Sequence, residues 1–546
     1  MKRWLIALGV IAAISVTGFL IFRQYWYYIP GIMQNLRDPI APTQQIVWNQ
    51  GPSEAPVGDR PPNIIVIVAD DLGYNDITLH GGVAGGRVRT PNIDALAQQG
   101  VQVEAGYTAN ATCSPSRAAI MTGRYASRFG FEFTSAPVEF SRYLSHGGDD
   151  ALHRPIFHED RVADVPPLAT LGLPPSEITI AEHLRDAGYH TLHIGKWHLG
   201  ESADLRPEAQ GFDESLGFMA GAGMFMPRND PNVVNAYLDF DPIDRFLWAN
   251  LPYAVEYNGG QRFRPEGYVT DYFTEQAVSA IEANRNRPFF MYLAYNAPHT
   301  PLQASREDYE ALSGIEDHTE RVYGAMILAL DRGIGRVMQA LRDEGLDENT
   351  LVIFTSDNGG AWYVGLPNLN RPYRGWKATF FEGGIRTPFF ARWPARLPAG
   401  GRIAGPAQHI DIFATAAAAA GAPVSHQIDG VNLLPFLSGE NPNAPHQALF
   451  WRSGPYRVVR FGDWKLQVSE NPNRVWLFNL RDDPMEQRDL SAQYPERVAE
   501  LRAMIEAQNA ALPAPLWPAV LEGPVRIDVP LNAPWREDQE YIYWSN

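Results

Sequence analysis

Asn63-Ile64-Ile65-Val66-Ile67-Val68-Ala69-Asp70-Asp71 is a continuously apolar, largely β-branched run that ends in two acidic residues. Such a run predicts a strand buried on both faces of a parallel sheet. Three similar apolar runs recur, at residues 191–194, 289–294 and 351–354. Helical patterns lie between them, at residues 179–187, 272–283 and 321–341. This alternation predicts an α/β fold with a large, mostly parallel sheet sandwiched by helices.

The pattern changes after a loop-like stretch near residues 435–445. A hairpin is predicted over residues 456–468, followed by a strand-like run at 475–478 and an amphipathic helix at 495–511. We therefore predict a main domain over residues 63–440 and a smaller C-terminal α+β subdomain over residues 441–546. Two stretches without clear periodicity, residues 131–173 and 221–268, are predicted to be long functional loops.

The N-terminus carries a hydrophobic segment. Met1-Lys2-Arg3 precedes an uncharged apolar run over residues 4–22, close to the ~20 residues that span a bilayer. Aromatic residues follow at 25–28, as in an interfacial belt, without a small-residue cleavage site. We predict an uncleaved membrane anchor over residues 1–30, with the following domain outside the cytoplasm, and a linker over residues 31–62. The alternative is an export signal that is removed, leaving a secreted protein.

Composition excludes some classes of partner. The chain has 546 residues, 45% hydrophobic content and a formal net charge of −17. The acidic balance argues against nucleic acid, which requires a basic surface. An anionic substrate would therefore need a local positive site. The single cysteine, Cys113, excludes an intrachain disulfide.

Polar side chains follow each of the predicted central strands. In open parallel sheets ligands bind beyond the carboxyl ends of the strands, so these residues are the natural site candidates. They are Asp70 and Asp71, Lys196 and His198, Asn296 and His299, and Asp357 and Asn358. Four strand ends with polar pairs are more than helix capping explains, and we predict one functional site there.

Two of these pairs predict a metal site. Asp70, Asp71, Asp357 and Asn358 offer only hard oxygen ligands, which suit Ca²⁺ or Mg²⁺. The strand-end histidines leave an alternative open, a mixed histidine and aspartate zinc site, which metal analysis would distinguish.

Cys113 is predicted to lie at the start of a helix. Pro115 fits the first turn, where its missing N–H costs nothing. A helix N-terminus favours an anion, and Arg117, one turn further, adds a positive charge. A buried structural thiol is the simpler alternative. A thiolate phosphatase is disfavoured, because those enzymes place five residues between the cysteine and the arginine, and three lie here.

Cys113-Ser114-Pro115-Ser116-Arg117, followed by Thr122-Gly123-Arg124, resembles the signature of type I sulfatases, the formylglycine-dependent, arylsulfatase-like enzymes of the alkaline phosphatase superfamily. The resemblance extends over residues 63 to about 490. Its other segments occur in the expected order, namely residues 69–73, 195–200, 297–299, 356–360 and 375–388.

The resemblance implies an alkaline-phosphatase-like fold, a catalytic domain over residues 63–440 and sulfuric ester hydrolysis. A separate maturation enzyme would oxidise Cys113 to formylglycine, whose hydrate would be the nucleophile. One Ca²⁺ would be held by Asp70, Asp71, residue 113, Asp357 and Asn358.

The resemblance also implies roles for the other site residues. Arg117, Lys196 and Lys377 would balance charge on the transferring sulfuryl group. His299, with Lys377, would assist departure of the alcohol, and His198 would help remove a proton from the hydrate. A sulfated carbohydrate is the expected substrate, and its binding mouth is predicted to include Trp362, Tyr363, Arg371 and Tyr373.

Two other functions fit the same residues. A phosphonate or phosphate ester hydrolase of the same superfamily would share the carboxylate ligands. A tethered, non-catalytic binder of sulfated glycans would keep the pocket without maturation of Cys113.

Overall fold

The computed structural model describes residues 2–55, 60–146 and 152–546. Met1 of the predicted anchor, residues 56–59 of the predicted linker and residues 147–151 of the first predicted long loop lie outside the described residues. The helices are α1 Lys2–Tyr25, α2 Ile29–Arg37, α3 Val83–Gly86, α4 Pro91–Gln99, α5 Cys113–Thr122, α6 Val138–Ser145, α7 Ile180–Asp186, α8 Pro242–Asn250, α9 Val269–Ala283, α10 Arg306–Ala311, α11 His318–Asp343, α12 Glu382–Ile385, α13 Asp411–Ala419, α14 Leu434–Leu437 and α15 Pro495–Ala510.

The strands fall into one large sheet and several small ones. They are β1 Asn63–Ala69, β2 Val101–Val103, β3 Gly106–Tyr107, β4 Ile156–Phe157, β5 His190–Lys196, β6 Glu214–Phe218, β7 Val233–Ala236, β8 Glu256–Tyr257, β9 Phe289–Ala294, β10 Leu302–Ser305, β11 Thr350–Ser356, β12 Phe389–Arg392, β13 Gly401–Ile403, β14 Ala407–Gln408, β15 Ala448–Ser453, β16 Tyr456–Phe461, β17 Trp464–Glu470, β18 Asn473–Asn479, β19 Leu521–Arg526 and β20 Tyr541–Ser545.

Nine strands form the main sheet, in the order β13-β2-β12-β11-β1-β9-β5-β6-β8. The central strands β11, β1, β9, β5 and β6 are parallel to one another. Antiparallel pairs lie towards the edges, where β12 pairs with β11 and β2, and β8 pairs with β6. The predicted mostly parallel sheet is confirmed, and the carboxyl ends of its central strands meet at one edge.

Strand β1 is apolar at every position because helices cover both of its faces. Ile65 and Ile67 belong to one hydrophobic core, which includes residues of α9 and α11. Ile64, Val66 and Val68 belong to the other, which includes residues of α5, α7 and α13. Side chains alternate across a strand, so a strand between two helical layers is apolar throughout.

A smaller antiparallel sheet follows the main domain, as predicted. Strands β15–β18 form it, and α15 packs against it through the buried residues Leu501 and Ile505. Lys465 of β17 is fully buried, and its Nζ lies 2.8 Å from Glu382 Oε1 and 3.0 Å from Glu486 Oε1. This triad joins the small sheet to α12. The division at residues 440 and 441 stays a prediction.

The N-terminal region contains an apolar helix. Among the described residues, one helix, near the N-terminus, is long and apolar enough to cross a membrane. Its composition fits either a signal sequence or an anchor. Residues 31–62, predicted as a linker, contain most of α2, and Trp48 within them is 3% exposed in the main core. The apolar residues of α2 follow a helical spacing that the prediction of a linker missed, whereas nothing in the pattern marks the contact of Trp48 with the main core.

Gly195 provides a test of the strand geometry beside the site. It has a φ of 112°, and a Cβ there would lie 1.9 Å from the carbonyl oxygen of Ala294 on the neighbouring strand. Gly188 also has a positive φ, 90°, but a Cβ there would meet nothing within 4 Å. We expect Gly195→Ala to lower the free energy of unfolding by about 1–3 kcal/mol more than Gly188→Ala, since overpacking costs this much. Equal losses in urea unfolding would contradict the close approach.

Candidate active site

Helix α5 places Cys113 in the protein interior. Thr112 is extended, so the helix begins directly at Cys113. Gly123, in a left-handed conformation with φ 65°, ends the helix, and its N–H donates to the carbonyl oxygen of Ala119 at 3.0 Å. Cys113 Sγ lies 3.8 Å from Asp70 Oδ1 and 3.9 Å from an oxygen of the next aspartate. The helix N-terminus therefore meets the end of β1.

Asp70 is paired with the last residue of β5. Lys196 Nζ donates to both carboxylate oxygens of Asp70 at 2.8 Å, and both side chains are fully buried. Burial raises the pKa of Asp70 to about 8, although Lys196 opposes this rise. A carboxylate in this position is stabilised by any further positive charge nearby.

Asp71 is paired with Lys377, 306 residues further along the chain. Lys377 Nζ lies 2.7 and 2.9 Å from the two oxygens of Asp71, and Tyr363 donates from its hydroxyl to Oδ2 at 2.8 Å. Burial alone would raise the pKa of Asp71, but Lys377 and His299 more than offset it and hold the pKa below its usual range. Asp71 is therefore ionised.

Asp357, just past the end of β11, is paired with Arg117. Arg117 Nε donates to Asp357 Oδ2 at 2.8 Å, and its Nη1 donates to the carbonyl oxygen of Lys196 at 3.0 Å. The other carboxylate oxygen, Oδ1, accepts the N–H of Asp71 at 3.2 Å. Burial opposes ionisation, but Arg117 and Lys196 hold the pKa of Asp357 well below its usual range.

Asn358 completes the oxygen donors. Its Nδ2 donates to Asp71 Oδ1 at 2.7 Å and to the carbonyl oxygen of Gly359 at 3.0 Å. Its Oδ1 is buried and finds no hydrogen-bond partner among the described residues. An orphaned buried carbonyl oxygen beside three carboxylates fits a cation ligand.

The donor set fits a hard divalent cation. Ligand atoms of Asp70, Asp71, Cys113 and His299 lie within 4.8 Å of one another. His299, one of the two histidines of the zinc alternative, belongs to this group, whereas His198 and the carboxylate of Asp357 lie outside it. Three carboxylates and an amide oxygen favour Ca²⁺ or Mg²⁺, and three buried cations already balance the carboxylates. A divalent cation would leave an excess positive charge that suits an anionic ester.

The histidines take defined orientations because backbone carbonyls can only accept hydrogen bonds. His198 Nε2 lies 3.0 Å from the carbonyl oxygen of Ser135, so Nε2 carries the hydrogen and Nδ1, buried without a partner in the described chain, keeps its lone pair. Burial, and then Lys196, hold the pKa of His198 well below its usual range. His198 is therefore neutral and able to accept a proton at Nδ1.

His299 has the opposite orientation. Its Nδ1 lies 2.6 Å from the carbonyl oxygen of Thr300, so Nδ1 carries a hydrogen. Its Nε2 lies 3.4 Å from Lys377 Nζ and 3.6 Å from Asp71 Oδ2. Nε2 is therefore the ring nitrogen that faces Lys377 and Asp71.

Comparison with known proteins identifies the family. The family model described as Sulfatase matches residues 62–422. The chain belongs to the sulfatase family. A second model, N-sulphoglucosamine sulphohydrolase, C-terminal, matches residues 374–511 of this sulfatase.

Curated relatives of this sulfatase carry different substrate names. N-acetylgalactosamine-6-sulfatase of Homo sapiens is 31% identical over 502 residues, covering 85% of this chain and 88% of that protein. Steryl-sulfatase of Homo sapiens is 30% identical, covering 78% of this chain and 77% of that protein. The crystal structure of Ps i-CgsB in complex with k-i-k-neocarrahexaose is 32% identical, with a TM-score of 0.70, and covers 84% of this chain and 95% of that one. This chain is likewise a sulfatase, a sulfuric ester hydrolase.

A cleft of about 920 Å³ leads to Cys113 in this sulfatase. His198, His299 and Lys377 also line it, whereas the carboxylates lie beneath. Its walls are mostly apolar and include Trp362. The site is therefore a cleft with mostly apolar walls and a charged floor.

The structure brings together the predicted catalytic and metal-ligating residues, whose individual roles remain predictions, whereas Asn296 just past the end of β9 donates to the carbonyl oxygen of Gly223 at 3.0 Å. Of the four residues predicted at the mouth, Trp362 and Tyr363 line the cleft. Arg371 lines a separate depression, and Tyr373 packs edge-on against Tyr74 with 4.9 Å between ring centroids. Only two of the four residues predicted at the mouth therefore line the cleft.

Sequence reasoning missed several contacts in the floor of the cleft. Tyr363 lines the cleft as predicted, but its hydroxyl also bridges Asp71 and Lys377, and Lys377 Nζ lies 3.0 Å from it. The carbonyls of Ser135 and Thr300 orient the histidines. Backbone carbonyls leave no mark in a sequence, but a tyrosine four residues past Asp357-Asn358-Gly359 was a signal that could have placed Tyr363.

Proposed function

We propose that this sulfatase removes sulfate from a sulfated carbohydrate, with Cys113 matured to formylglycine and one Ca²⁺ bound. The observation that carries the proposal is the convergence of Cys113 Sγ with Asp70 and Asp71 at the N-terminus of a buried helix. A lone structural cysteine gains nothing from such a charged environment, whereas a nucleophile requires it.

The proposed calcium ligands are Asp70, Asp71, residue 113, Asp357 and Asn358. The orphaned Oδ1 of Asn358 supports this set, because it is an acceptor without a donor. When bound, Ca²⁺ supplies positive charge next to the nucleophile and the sulfate oxygens.

Residue 113 is the proposed nucleophile. As a hydrated formylglycine it supplies a hydroxyl that attacks sulfur in line with the leaving alcohol. Arg117, Lys196 and Lys377 balance the charge of the sulfuryl group, and their own pairing with carboxylates holds them in place before substrate binds. The preorganised cations cost no reorganisation during the reaction.

His299 is the proposed general acid. Its Nε2 faces the cleft beside Lys377, and Nδ1 is held by the Thr300 carbonyl, so the ring cannot turn away. A proton on Nε2 goes to the bridging oxygen of the ester as the alcohol leaves. Lys377 donates towards the same nitrogen and supports its reprotonation.

His198 is the proposed base. It is neutral, and its free Nδ1 lone pair is fixed by the hydrogen bond from Nε2 to Ser135. It accepts the proton that must leave residue 113 when sulfate is released.

The relatives support a carbohydrate substrate. One is named for an N-acetylgalactosamine 6-sulfate, and the structure at TM-score 0.70 holds a neocarrahexaose. A desulfation screen over sulfated mono- and oligosaccharides, with release of inorganic sulfate as readout, tests this substrate class. It also identifies which sulfate position on the sugar is hydrolysed. Turnover of aryl sulfate without any sulfated sugar would contradict it.

A phosphorus ester hydrolase is the rival activity. On matured protein, kcat/KM for an aryl sulfate is expected to exceed that for the matching aryl phosphate monoester, as befits a chain that matches the sulfatase family over residues 62–422. Preference for the phosphorus ester would overturn the proposed function. Mass spectrometry of the peptide bearing residue 113 tests the non-catalytic binder, which would keep the thiol.

The membrane assignment also belongs to this proposal. We infer that α1 is an uncleaved anchor with the catalytic domain outside the cytoplasm, where sulfated glycans occur, and that the chain meets its formylglycine-generating enzyme before folding buries Cys113. Edman sequencing of membrane-bound protein from its native host tests retention of the segment.

His299→Ala is expected to reduce kcat/KM about 100-fold or more for an alkyl or sugar sulfate, in line with the usual value of general acid catalysis. The loss should be far smaller for nitrophenyl sulfate, whose leaving oxygen needs no proton. Arg117→Ala should slow both substrates alike, because it acts on the sulfuryl group. A flat ratio across a leaving-group series for His299→Ala would remove it from the catalytic residues.

A further inference from the structure

The end of α1 and the whole of α2 form one wall of the cleft. Phe22, Trp26, Ile29 and Met33 line it, opposite the charged floor that holds Cys113. A short 3-10 turn over Trp26–Tyr28 separates α1 from α2, and residues from both helices and from this turn line the cleft. The segment predicted as anchor and linker is therefore part of the path to the active site.

Contacts with α8 hold this segment against the catalytic domain. The N–H of Gly31 donates to Asn250 Oδ1 at 2.7 Å, and Asn250 Nδ2 donates to the carbonyl oxygen of Tyr27 at 2.9 Å. A Cβ at Gly31 would lie 2.8 Å from the Cα of Asn250, so the two backbones touch. The ring of Tyr27 also packs on Tyr143, with 4.4 Å between centroids.

A second set of contacts holds the other end of α2. Asp38 forms an ion pair with Arg262. The N–H of Ala41 donates to the carbonyl oxygen of Arg262 at 2.8 Å, and the N–H of Arg264 donates to the carbonyl of Ala41 at 3.1 Å. With both ends held, α2 has a fixed orientation relative to the catalytic domain.

The outer side of α2 is apolar and exposed. Ile29, Ile32, Met33 and Leu36 are 44%, 54%, 40% and 73% exposed, and their i, i+3, i+4, i+7 spacing forms one stripe. The partly buried 3-10 turn at residues 26–28 separates this stripe from α1, whose apolar side chains are also exposed. An amphipathic helix that follows a membrane span lies in the interface of the bilayer, so lipid is the expected cover.

We propose that the cleft opens at the membrane surface and that its α1–α2 wall receives the apolar chain of a membrane-held amphiphile whose polar head carries the sulfate ester. This inference rests on the proposed function, since it names the substrate of the same site. Phe22 lines the cleft and belongs to the apolar run, which places the mouth at the end of the span. Ile29 and Met33 belong to both the exposed stripe and the cleft wall, so the mouth of the cleft borders the lipid that covers the stripe.

The reaction at such a mouth is ordinary ester hydrolysis. One water is consumed, the bond between sulfur and the bridging oxygen breaks, and sulfate and a proton leave to the aqueous side. The alcohol of the head group keeps the bridging oxygen, takes a proton and stays with its chain in the outer leaflet. The apolar wall contributes to binding and not to the bond-breaking step.

The test uses full-length matured protein in phosphatidylcholine nanodiscs. The substrates are pairs of methyl and hexadecyl β-galactosides, and both members of a pair carry one sulfate on the same hydroxyl. One pair is assayed for each hydroxyl position of the sugar. The hexadecyl compound is supplied in phosphatidylcholine vesicles. For the hydrolysed position we expect kcat/KM to favour the hexadecyl compound by at least about tenfold, because burial of roughly two methylene groups is worth that much.

Two variants place the same charge on opposite sides of α2. Met33→Glu, on the cleft wall, is expected to lower the hexadecyl-to-methyl ratio of kcat/KM about tenfold, since an apolar chain that binds beside a carboxylate must desolvate it at a cost. Asn35→Glu, on the polar side of the same helix, should leave the ratio within about twofold, as exposed substitutions usually have small effects. Sedimentation of all three proteins reports whether the stripe instead joins two copies of the chain.

The outcomes separate the inference from the proposed function. A ratio near one in the wild type, or equal ratios in both variants, overturns the membrane-held substrate while hydrolysis of the methyl galactoside upholds the proposed function. A dimer that Met33→Glu dissociates without changing the ratio assigns the stripe to a second copy and also overturns the inference. Hydrolysis of aryl sulfate alone contradicts the carbohydrate substrate itself.

Discussion

Replacing Cys113 with alanine is expected to reduce sulfate release by about 10⁴-fold or more, because removing a nucleophile costs this much when the rest of its site is intact. The residue lies at the point where the helix N-terminus, two carboxylates and the cleft meet. The two serines of the same helix turn are engaged elsewhere, since Ser114 accepts from the N–H of Ser135 and Ser116 contacts His409. The measurement is release of inorganic sulfate at saturating calcium.

Two controls make the result specific. Met121→Leu changes a buried residue of the same helix with little change of volume, and it should cost less than about 1.5 kcal/mol and keep activity. Intact-mass analysis of the active wild type should show an aldehyde or its hydrate at residue 113. Full activity in Cys113→Ala, or an unmodified thiol in fully active enzyme, would end the formylglycine hypothesis.

Asp357→Asn is expected to weaken calcium binding by more than the roughly 10- to 100-fold that loss of an outer-shell partner costs. Calcium sites of this kind depend on ligand charge, and the substitution removes one of three buried carboxylates while preserving shape. It also leaves the Arg117 guanidinium without its partner at 2.8 Å, so the free energy of unfolding should fall by about 3–5 kcal/mol. Calcium titration of turnover and of thermal unfolding measures both effects.

Asp347→Asn is the matched control. Asp347 pairs with Arg392 at 2.9 Å and precedes β11, whereas Asp357 follows it, so the two aspartates lie at opposite ends of one strand. Asp347→Asn should lose some stability but keep the calcium dependence of the wild type. If chelation of calcium leaves wild-type turnover untouched, the metal assignment fails, whatever the variants show.

Much of the fold and the chemistry of the site could be predicted from local pattern. The apolar run before Asp70 predicts a doubly covered strand because helices on both faces leave no polar position, and the structure shows β1 fully buried. Polar residues at strand ends predict a shared site because parallel strands carry their carboxyl ends to one edge. The order of the strands, the antiparallel edges and the small three-stranded sheet containing β4 had no comparable local signal.

The pairing of charges within the site is a property of the tertiary structure. Lys196 and Lys377 look alike in the sequence, yet one pairs with Asp70 across 126 positions and the other with Asp71 across 306. Such contacts depend on how strands and loops are placed in space, which no local periodicity encodes. The same holds for the histidines, whose proton-bearing nitrogens are set by the carbonyls of Ser135 and Thr300.

The sequence by itself determined the central strands, the candidate oxygen ligands, the nucleophile candidate and the apolar N-terminal helix, because residue type and spacing carry that information. Only the tertiary structure decided that α2, within residues read as anchor and linker, forms a wall of the active-site cleft. Its position depends on backbone hydrogen bonds from Gly31 and Ala41 to residues more than 200 positions away. Contacts of that kind join residues that are far apart in the sequence, so the residue types around Gly31 and Ala41 do not predict them.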